Sequence, residues 1–239
     1  MMLTILIPTY NEKNNITNCV KKLNELENLK KINFKIFFVD DNSKDGSKEE
    51  LNNVSFLNKN VEFKIRTEKK RDLTQSIIFA LEYIDSDYIC VIDCDLQHNY
   101  RLIPDLINSL KNENYDLVIA SRNINEKLFN NLNFYRKLIS KIGILLCKLL
   151  GIRNVTDPLS GFFAIKTNLL KSISKDIKNK GFKILLSILF FLQNRVKIKE
   201  IGTTFSSRKI GKSKLNIVIL IYFIKQYVSL FLKKVWWVQ

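Results

Sequence analysis

Five short apolar runs, at residues 3–7, 34–39, 61–65, 88–92 and 116–120, alternate with segments of helical spacing such as Ile16 to Leu29 and Leu73 to Ile84. Alternation of this kind predicts a mostly parallel sheet with crossover helices, an α/β layer architecture. Two of the runs end in carboxylates: Val39-Asp40-Asp41-Asn42-Ser43-Lys44-Asp45-Gly46 and Asp93-Cys94-Asp95-Leu96-Gln97-His98. Ligands of an open α/β sheet bind outside the carboxyl ends of its strands, so both motifs stand where a site is expected. Pro8 closes the first run, and Thr9-Tyr10-Asn11-Glu12 leads into a helix starting near Asn14 or Asn15, which places a first ligand loop at residues 8–12.

Asp93 and Asp95 alternate around Cys94, so in an extended segment they share one side while Cys94 points away. Two hard oxygen ligands so placed can hold Mg²⁺ or Mn²⁺, and the cation can bridge to a substrate diphosphate. That is the chemistry of a nucleotide-sugar transferase. Asp40-Asp41-Asn42-Ser43 taken alone also reads as a plain turn rich in Asx residues.

The chain has 239 residues, is 46% hydrophobic and carries only 7 Gly and 3 Pro, which argues for one sizeable core and against disorder. Its net charge of +16 is unevenly spread: residues 1–120 hold 16 Lys/Arg against 19 Asp/Glu, residues 121–239 hold 23 against 4. A second half at +19 implies an anionic partner. The aromatics of that half sit in aliphatic company, as in Ile219-Leu220-Ile221-Tyr222-Phe223, and no nucleic-acid signature accompanies them, so a membrane surface is favoured over nucleic acid. Cys19, Cys90, Cys94 and Cys147 form no CxxC pair or metal-ligand spacing, and a reducing cytoplasmic setting is the default reading. No basic segment precedes the first strand, so no secretory signal is expected, and the Asn-x-Ser/Thr triplets at Asn15, Asn53 and Asn154 read as coincidental.

The second half changes character after Arg122. Leu138, Ile139, Ile142, Leu145, Leu146, Leu149 and Leu150 recur at helical spacing opposite Lys137, Lys141 and Lys148, which predicts a basic amphipathic helix at about residues 134–150, either core-facing or at a membrane interface. A second helix from Leu215 to Leu232, roughly 27 Å at about 1.5 Å per residue, is marginal for spanning a bilayer and carries Lys225 near its middle. It reads as an interfacial or partly embedded anchor, with docking on the domain as the other reading. Lys233-Lys234 beside Trp236-Trp237 suits the headgroup level. The expected division is a catalytic domain at 1–212 and a membrane-associated helix at 213–239.

Six segments stand in the order and approximate spacing of the family 2 glycosyltransferases of GT-A fold: Pro8-Thr9-Tyr10-Asn11-Glu12, Val39 to Ser47, Asp93 to His98, Ala120-Ser121-Arg122, Asp157-Pro158-Leu159-Ser160-Gly161-Phe162 and Arg208-Lys209-Ile210-Gly211-Lys212-Ser213-Lys214. Within that fold the chain most resembles the dolichyl- and polyprenyl-phosphate hexosyltransferases, over residues 2 to about 216. The resemblance implies a Rossmann-like sheet, with Pro8, Tyr10, Glu12, Val39 and Asp41 at the nucleotide and Asp93, Asp95 and Gln97 at the metal, Mg²⁺ or Mn²⁺. It further implies that Arg122, Arg136, Ser140 and Ser213 bind the acceptor phosphate. Asp93 and Lys214 would bind the donor, and Arg208, Ser213 and Lys214 would belong to a basic loop that closes over both phosphates, with Asp157 near the sugar or metal. Asp95, Arg122, Arg136 and Arg208 are the expected catalytic set. His98, the single histidine, reads as structural or supporting, because a lipid phosphate is already ionised and needs no base.

The sequence departs from the family pattern at three places: Asp72 stands where glycine is expected, Asn99 where proline usually follows the histidine, and Phe163 where a basic residue is common. The first bears on backbone approach to the donor, the last on a cation near the acceptor side. The expected function is an inverting, metal-dependent transfer of mannose from GDP-mannose to dolichyl or another polyprenyl phosphate at the cytoplasmic membrane surface, with a small membrane subunit as a candidate partner. The alternatives are a UDP-glucose-dependent enzyme of the same class, a family 2 transferase acting on a glycan hydroxyl, and a basic membrane-binding protein that has lost activity.

Overall fold

The structure of the protein is a computed structural model that describes residues 2–68, 71–122, 143–152, 155–178, 181, 183–204 and 217–237. Among these residues seven strands form one sheet: β1 (Met2–Thr9), β2 (Asn33–Asp40), β3 (Val61–Ile65), β4 (Tyr88–Val91), β5 (Leu117–Ser121), β6 (Phe163–Lys166) and β7 (Ile198–Gly202). Their order is β3-β2-β1-β4-β6-β5-β7. The helices are α1 (Lys13–Asn24), α2 (Glu27–Lys30), α3 (Ser47–Leu57), α4 (Leu73–Ala80), α5 (Ile103–Lys111), α6 (Thr167–Ser174), α7 (Ile184–Leu192) and α8 (Ile217–Trp237), with a further helical stretch at residues 143–149.

All five strands expected from the apolar runs are present within a residue or two of their expected bounds. The inner strands among them are apolar on both sides because both sides are covered, as parallel sheets require, while the edge strand β3 alternates Glu62 and Lys64 with Val61, Phe63 and Ile65. Leu3, Ile5 and Ile7 of β1 join Ile36, Phe38 and Cys90 in a core shared with α1, α3 and α5. Leu6, Phe37, Val39 and Val91, one residue out of step, join the opposite core with α4, α6 and α7. The single helix expected from Ile16 to Leu29 is two, because the backbone at Leu26 turns extended (φ −74°, ψ 105°). The segment expected to be helical to Ile84 is α-helical only to Ala80 and tightens into a 3₁₀ turn at Leu81–Tyr83.

β6 and β7 carry no strong sequence signal, being four and five residues long within the basic half. β6 determines what the site contains. It runs antiparallel to both neighbours, with Phe163 paired to Val91 of β4 and to Ile119 of β5. An antiparallel strand begins where its neighbours end, so the Asp157–Gly161 turn ahead of β6 is delivered to the edge where Asp93 and Arg122 emerge.

In the basic half, the 143–149 stretch buries Gly143 and Cys147 and exposes Leu145 and Leu149, so its leucines do not all face one covered side. Lys137, Leu138, Ile139 and Lys141, on which the amphipathic reading also rests, lie outside the described residues. Helix α8 docks on the domain through Gln226 and Leu230, both buried, with Phe223 and Tyr227 packed against the same core. Lys233 Nζ donates to Asp176 O at 3.2 Å and Lys234 Nζ to Leu149 O at 2.8 Å. The outward stripe of α8 is apolar: Ile221, Ile224, Val228, Phe231, Leu232 and Val235 are exposed, with Lys225 among them. No helix among the described residues is long and apolar enough to cross a membrane.

Candidate active site

The carboxyl ends of β1, β2 and β4 surround a cavity of about 140 Å³ lined by Pro8, Tyr10, Glu12, Asp41, Asp93 and Asp95, together with Thr9, Arg71, Leu73, Ser76 and Cys94. Six residues expected from sequence therefore converge on one space. Val39 lies beside it with its side chain fully buried in the core, leaving only its backbone for a ligand. Gln97 follows Asp95, donating its amide to Asp95 Oδ1 at 3.1 Å, and is not part of this lining. Arg136, Ser140, Arg208, Ser213 and Lys214 lie outside the described residues.

The acidic loop after β2 divides its labour. Asp40 accepts from Ser43 N and Ser43 Oγ, at 2.8 and 2.5 Å, and Asp45 accepts from Ser47 N and Lys13 N, at 3.0 and 3.1 Å. These two build the turn, as an Asx-rich sequence does anyway. Gly46 completes it at φ +89°, where an added Cβ would also meet Lys13 Cδ at 3.1 Å. Asp41 alone of the three turns to the cavity.

Asp41 does not stand free there. Its Oδ1 accepts from Arg66 Nε at 2.7 Å and lies 2.5 Å from Arg66 Nη2, while Oδ2 accepts the Asp72 amide at 2.6 Å. Burial pushes the Asp41 carboxyl up from its ordinary range, and the Asp72 amide and Arg66 pull against that. Asp72 accounts for its own departure from the family glycine. At φ −159° its backbone is extended and suits any residue, and its Oδ1 caps α4 by accepting Gln75 N at 3.0 Å and Gly181 N at 3.2 Å. Arg71, which the sequence reading passed over, lies with its guanidinium 4.6 Å from the Tyr10 ring centroid, so an aromatic face and a planar cation stand together at one end of the cavity.

The Asp93-Cys94-Asp95 turn is held from beneath. Tyr100 donates its hydroxyl to Asp93 O at 2.8 Å, and Leu96 takes a positive φ of 61° to bring the chain round. His98 accepts the Asp93 amide on Nδ1 at 3.2 Å, so its proton sits on Nε2, 3.5 Å from Asp93 Oδ2. Burial lowers His98 to about 4, with Asp95 pulling the other way, and the ring lies flat on Phe162 at 5.2 Å. A neutral histidine with its acceptor nitrogen occupied orients a carboxylate and is no proton acceptor. Gly161 closes over the same carboxylate: a Cβ there would lie 3.2 Å from Asp93 Oδ2.

On the other flank Arg122 grips Asp157 with Nε to Oδ2 at 2.7 Å and Nη2 to Oδ1 at 2.8 Å, a two-pronged pair, with the Arg122 amide adding a third bond at 3.1 Å. Burial alone would push Asp157 up, but the Arg122 bonds and charge outweigh it and hold the carboxyl below its ordinary value. Glu200 of β7 fixes the turn by accepting Thr156 N at 2.8 Å and Asp157 N at 3.0 Å. Lys183, also absent from the sequence reading, donates Nζ to Leu159 O at 3.0 Å within this turn. Phe163 is fully buried in the core, so the residue at that position faces the sheet packing and not the acceptor side.

The donor set suits a hard divalent cation completed by substrate. Among the described residues no three His, Cys, Asp or Glu side chains converge on one point. Mg²⁺-type ions commonly take one or two protein carboxylates plus substrate phosphates, and Asp93 and Asp95, facing one cavity, supply two.

The chain is similar to proteins of known activity and to solved structures. The dolichol-phosphate mannosyltransferase of Pyrococcus furiosus is 35% identical over 218 residues, 90% of this chain and 60% of that protein, so the chain spans about three fifths of that relative's length. The dolichol-phosphate mannosyltransferase of Saccharomyces cerevisiae is 31% identical over 97% of this chain and 87% of its own. Glucosyl-3-phosphoglycerate synthase from Mycobacterium tuberculosis, in complex with UDP, superposes with a TM-score of 0.72 at 17% identity, covering 98% of this chain and 79% of that one. The same enzyme with Mn²⁺, UDP and glucosyl-3-phosphoglycerate gives 0.71 at 16% identity. These likenesses show a GT-A fold. The family model "Glycosyl transferase family 2" matches residues 4–174, nearly all of the sheet and both carboxylate motifs, and the chain belongs to that family.

Proposed function

We propose that the protein transfers a hexose, mannose from GDP-mannose, to the phosphate of dolichol or another polyprenol, with inversion, at the cytoplasmic surface of a membrane. The observation that carries the proposal is the meeting, at one sheet edge, of a nucleotide slot, a cavity-facing carboxylate pair and an arginine held by a buried carboxylate. Relatives named dolichol-phosphate mannosyltransferase, similar over most of this chain, support the substrate class. The site also suits the reaction in what it lacks a use for. An acceptor phosphate oxygen attacks the anomeric carbon as the bond to the donor diphosphate breaks, and the bonding pair leaves with the diphosphate. No proton is removed, and His98, neutral with Nδ1 occupied, is built to hold Asp93.

Asp93 and Asp95 would hold Mg²⁺ or Mn²⁺, which neutralises charge on a leaving diphosphate; the fold neighbour crystallised with Mn²⁺ and UDP supports a divalent ion in this fold. Tyr10 and Arg71 would flank the base, and Glu12 and the Asp41–Arg66 pair would shape the nucleoside end. Arg122, fixed in rotamer by Asp157, would meet the acceptor phosphate with the part of its guanidinium still open to solvent, its side chain being 40% exposed. Arg136, Ser140, Arg208, Ser213 and Lys214 are proposed as the remaining phosphate ligands on the family resemblance. The outward stripe of α8, with Leu145 and Leu149, supports residence at a membrane surface, where the acceptor resides.

The test is incubation of purified protein in detergent micelles with Mn²⁺ or Mg²⁺, polyprenyl phosphate and either GDP-mannose or UDP-glucose, with mass spectrometry of the lipid. Mannosyl lipid from GDP-mannose, reduced about 10²-fold or more in Asp95→Asn, is the expected result. Glucosyl lipid alone would reassign the donor, and no lipid product with either donor would overturn the acceptor class.

A further inference from the structure

Residues 181 and 183 form a junction that the reaction scheme does not use. Toward the nucleotide end, Gly181 N donates to Asp72 Oδ1 at 3.2 Å and Gly181 O accepts Thr74 N at 3.0 Å. Asp72 in turn holds Asp41 through its amide. Toward the acceptor end, Lys183 Nζ donates to Leu159 O in the turn that carries Asp157 and Gly161. Burial and the Arg122 charge push the Lys183 ammonium down from its ordinary range, while Asp93 and Asp157 pull it back, which places Lys183 in the field of the site.

The third arm of the junction comes from α8. Gln226, 1% exposed, donates Nε2 to Lys183 O at 3.0 Å and to Ser187 Oγ at 2.9 Å. Its Oε1 finds no hydrogen-bond partner among the described residues and rests on Gly181, where an added Cβ would lie 2.3 Å from it. A buried carbonyl without a partner destabilises a fold, so this glutamine is a poor choice for stability on a helix that otherwise docks with Leu230, Phe223 and Tyr227. Among the described residues its polar end meets only the junction and the first turn of α7.

We propose that Gln226 is a positioning residue for sugar transfer: from the docked face of α8 it holds residues 181 and 183, and through them the Asp72 cap and the Lys183 contact to the Leu159 turn, in the arrangement the site requires. The proposal rests on the transfer reaction given above, and it makes the helix that faces the membrane on one side part of the site's support on the other. Turnover would then depend on the Gln226 contact to the junction, although among the described residues no α8 side chain lines the cavity between the strand ends.

The test compares Gln226→Leu and Leu230→Ala in the full chain by thermal unfolding, amide hydrogen exchange and steady-state kinetics with donor and polyprenyl phosphate. Gln226→Leu keeps the volume and removes the unpartnered carbonyl, and Ser187 Oγ, four residues on, can donate to Lys183 O in its place. Its Tm is therefore expected to stay within about 3 °C of wild type, while exchange at Gly181 and Thr74 rises about tenfold and kcat falls about tenfold, with the acceptor KM moving less than twofold. Leu230→Ala is expected to do the reverse, lowering Tm and leaving kcat within about twofold. Equal loss of kcat in the two variants, or wild-type kcat in Gln226→Leu, would overturn the positioning role. If wild type forms no glycosyl lipid the reaction reading fails, and exchange decides alone: faster exchange at Gly181 and Thr74 in Gln226→Leu supports the junction, unchanged exchange overturns it.

Discussion

Asp157 and His98 are both buried and both titrate away from their ordinary values, and they act in different pH windows. His98 is lowered to about 4 from an unfolded value of 6.5. The unfolded chain therefore binds a proton that the folded chain refuses between those values, and stability falls as pH drops from 6.5 to about 4. Asp157, held below 3.8 by Arg122, stabilises the fold fully above that value and loses its contribution as pH falls further. His98→Gln is expected to flatten the stability slope between pH 6.5 and 4, and Asp157→Asn the slope below about 4, in urea unfolding across pH. His98→Gln should also leave the shape of the kcat profile between pH 6 and 8 unchanged, which a proton acceptor would not. Gly161 presents a purely steric case. A Cβ 3.2 Å from Asp93 Oδ2 requires that carboxylate to give by a few tenths of an ångström. Gly161→Ala is expected to lower Mn²⁺ affinity in the presence of nucleoside diphosphate about tenfold by calorimetry while Tm changes little, because φ there is not in the left-handed region.

At the scale of elements, the antiparallel β6 and the cap of α4 decide what the site contains. Asp157 follows Arg122 by 35 residues, and only the reversal at β6 returns the chain to the same edge. α4 begins where Asp72 accepts Gln75 N, and the same carboxylate pins Gly181, 109 residues away. Asp72→Ala is expected to cost about 1 kcal/mol for the cap and about 1–3 kcal/mol more for the stranded Gly181 amide, read as a lower urea midpoint at unchanged m-value. Its donor KM should rise as well, since the Asp72 backbone that meets Asp41 is then less well held. The sequence offered Asp72 only as a departure from a family glycine, because an N-cap and a tertiary partner look alike until the fold brings residue 181 into reach.

For the molecule as a whole, charge and apolar surface lie together in the second half. Residues 121–239 supply all of the net positive charge, and α8 turns Ile221, Ile224, Val228, Leu232 and Val235 outward while its other face docks. The protein is expected to sediment with anionic vesicles more than with neutral ones, and the difference should shrink at high salt while a salt-resistant fraction reports insertion of the stripe. Val228→Glu with Leu232→Glu should remove the salt-resistant fraction at unchanged Tm, since both residues are about half exposed before substitution. Binding that follows charge alone, with no loss in the double variant, would assign these residues to another partner.

Local features were legible along the chain: five of the seven strands among the described residues lie at apolar runs, and Asp41, Asp93 and Asp95 stand just beyond the carboxyl ends of two of them. Each of these follows from periodicity or short-range turn chemistry, which neighbouring residues carry between them. Pro8, Tyr10 and Glu12, which the family resemblance singled out, line the cavity, and Arg122, which it also singled out, pairs with Asp157. Only the tertiary structure decided that Asp41 is paired to Arg66, that Arg71 lies over Tyr10, that Val39 and Phe163 are core, and that Lys183 and Gln226 meet beneath the site. Those pairings join residues 25 to 61 positions apart, or depend on which side of a strand is covered, and no repeat or spacing along the chain records them. They arise because burial forces each polar atom to find a partner in whatever the folded chain brings within about 3 Å.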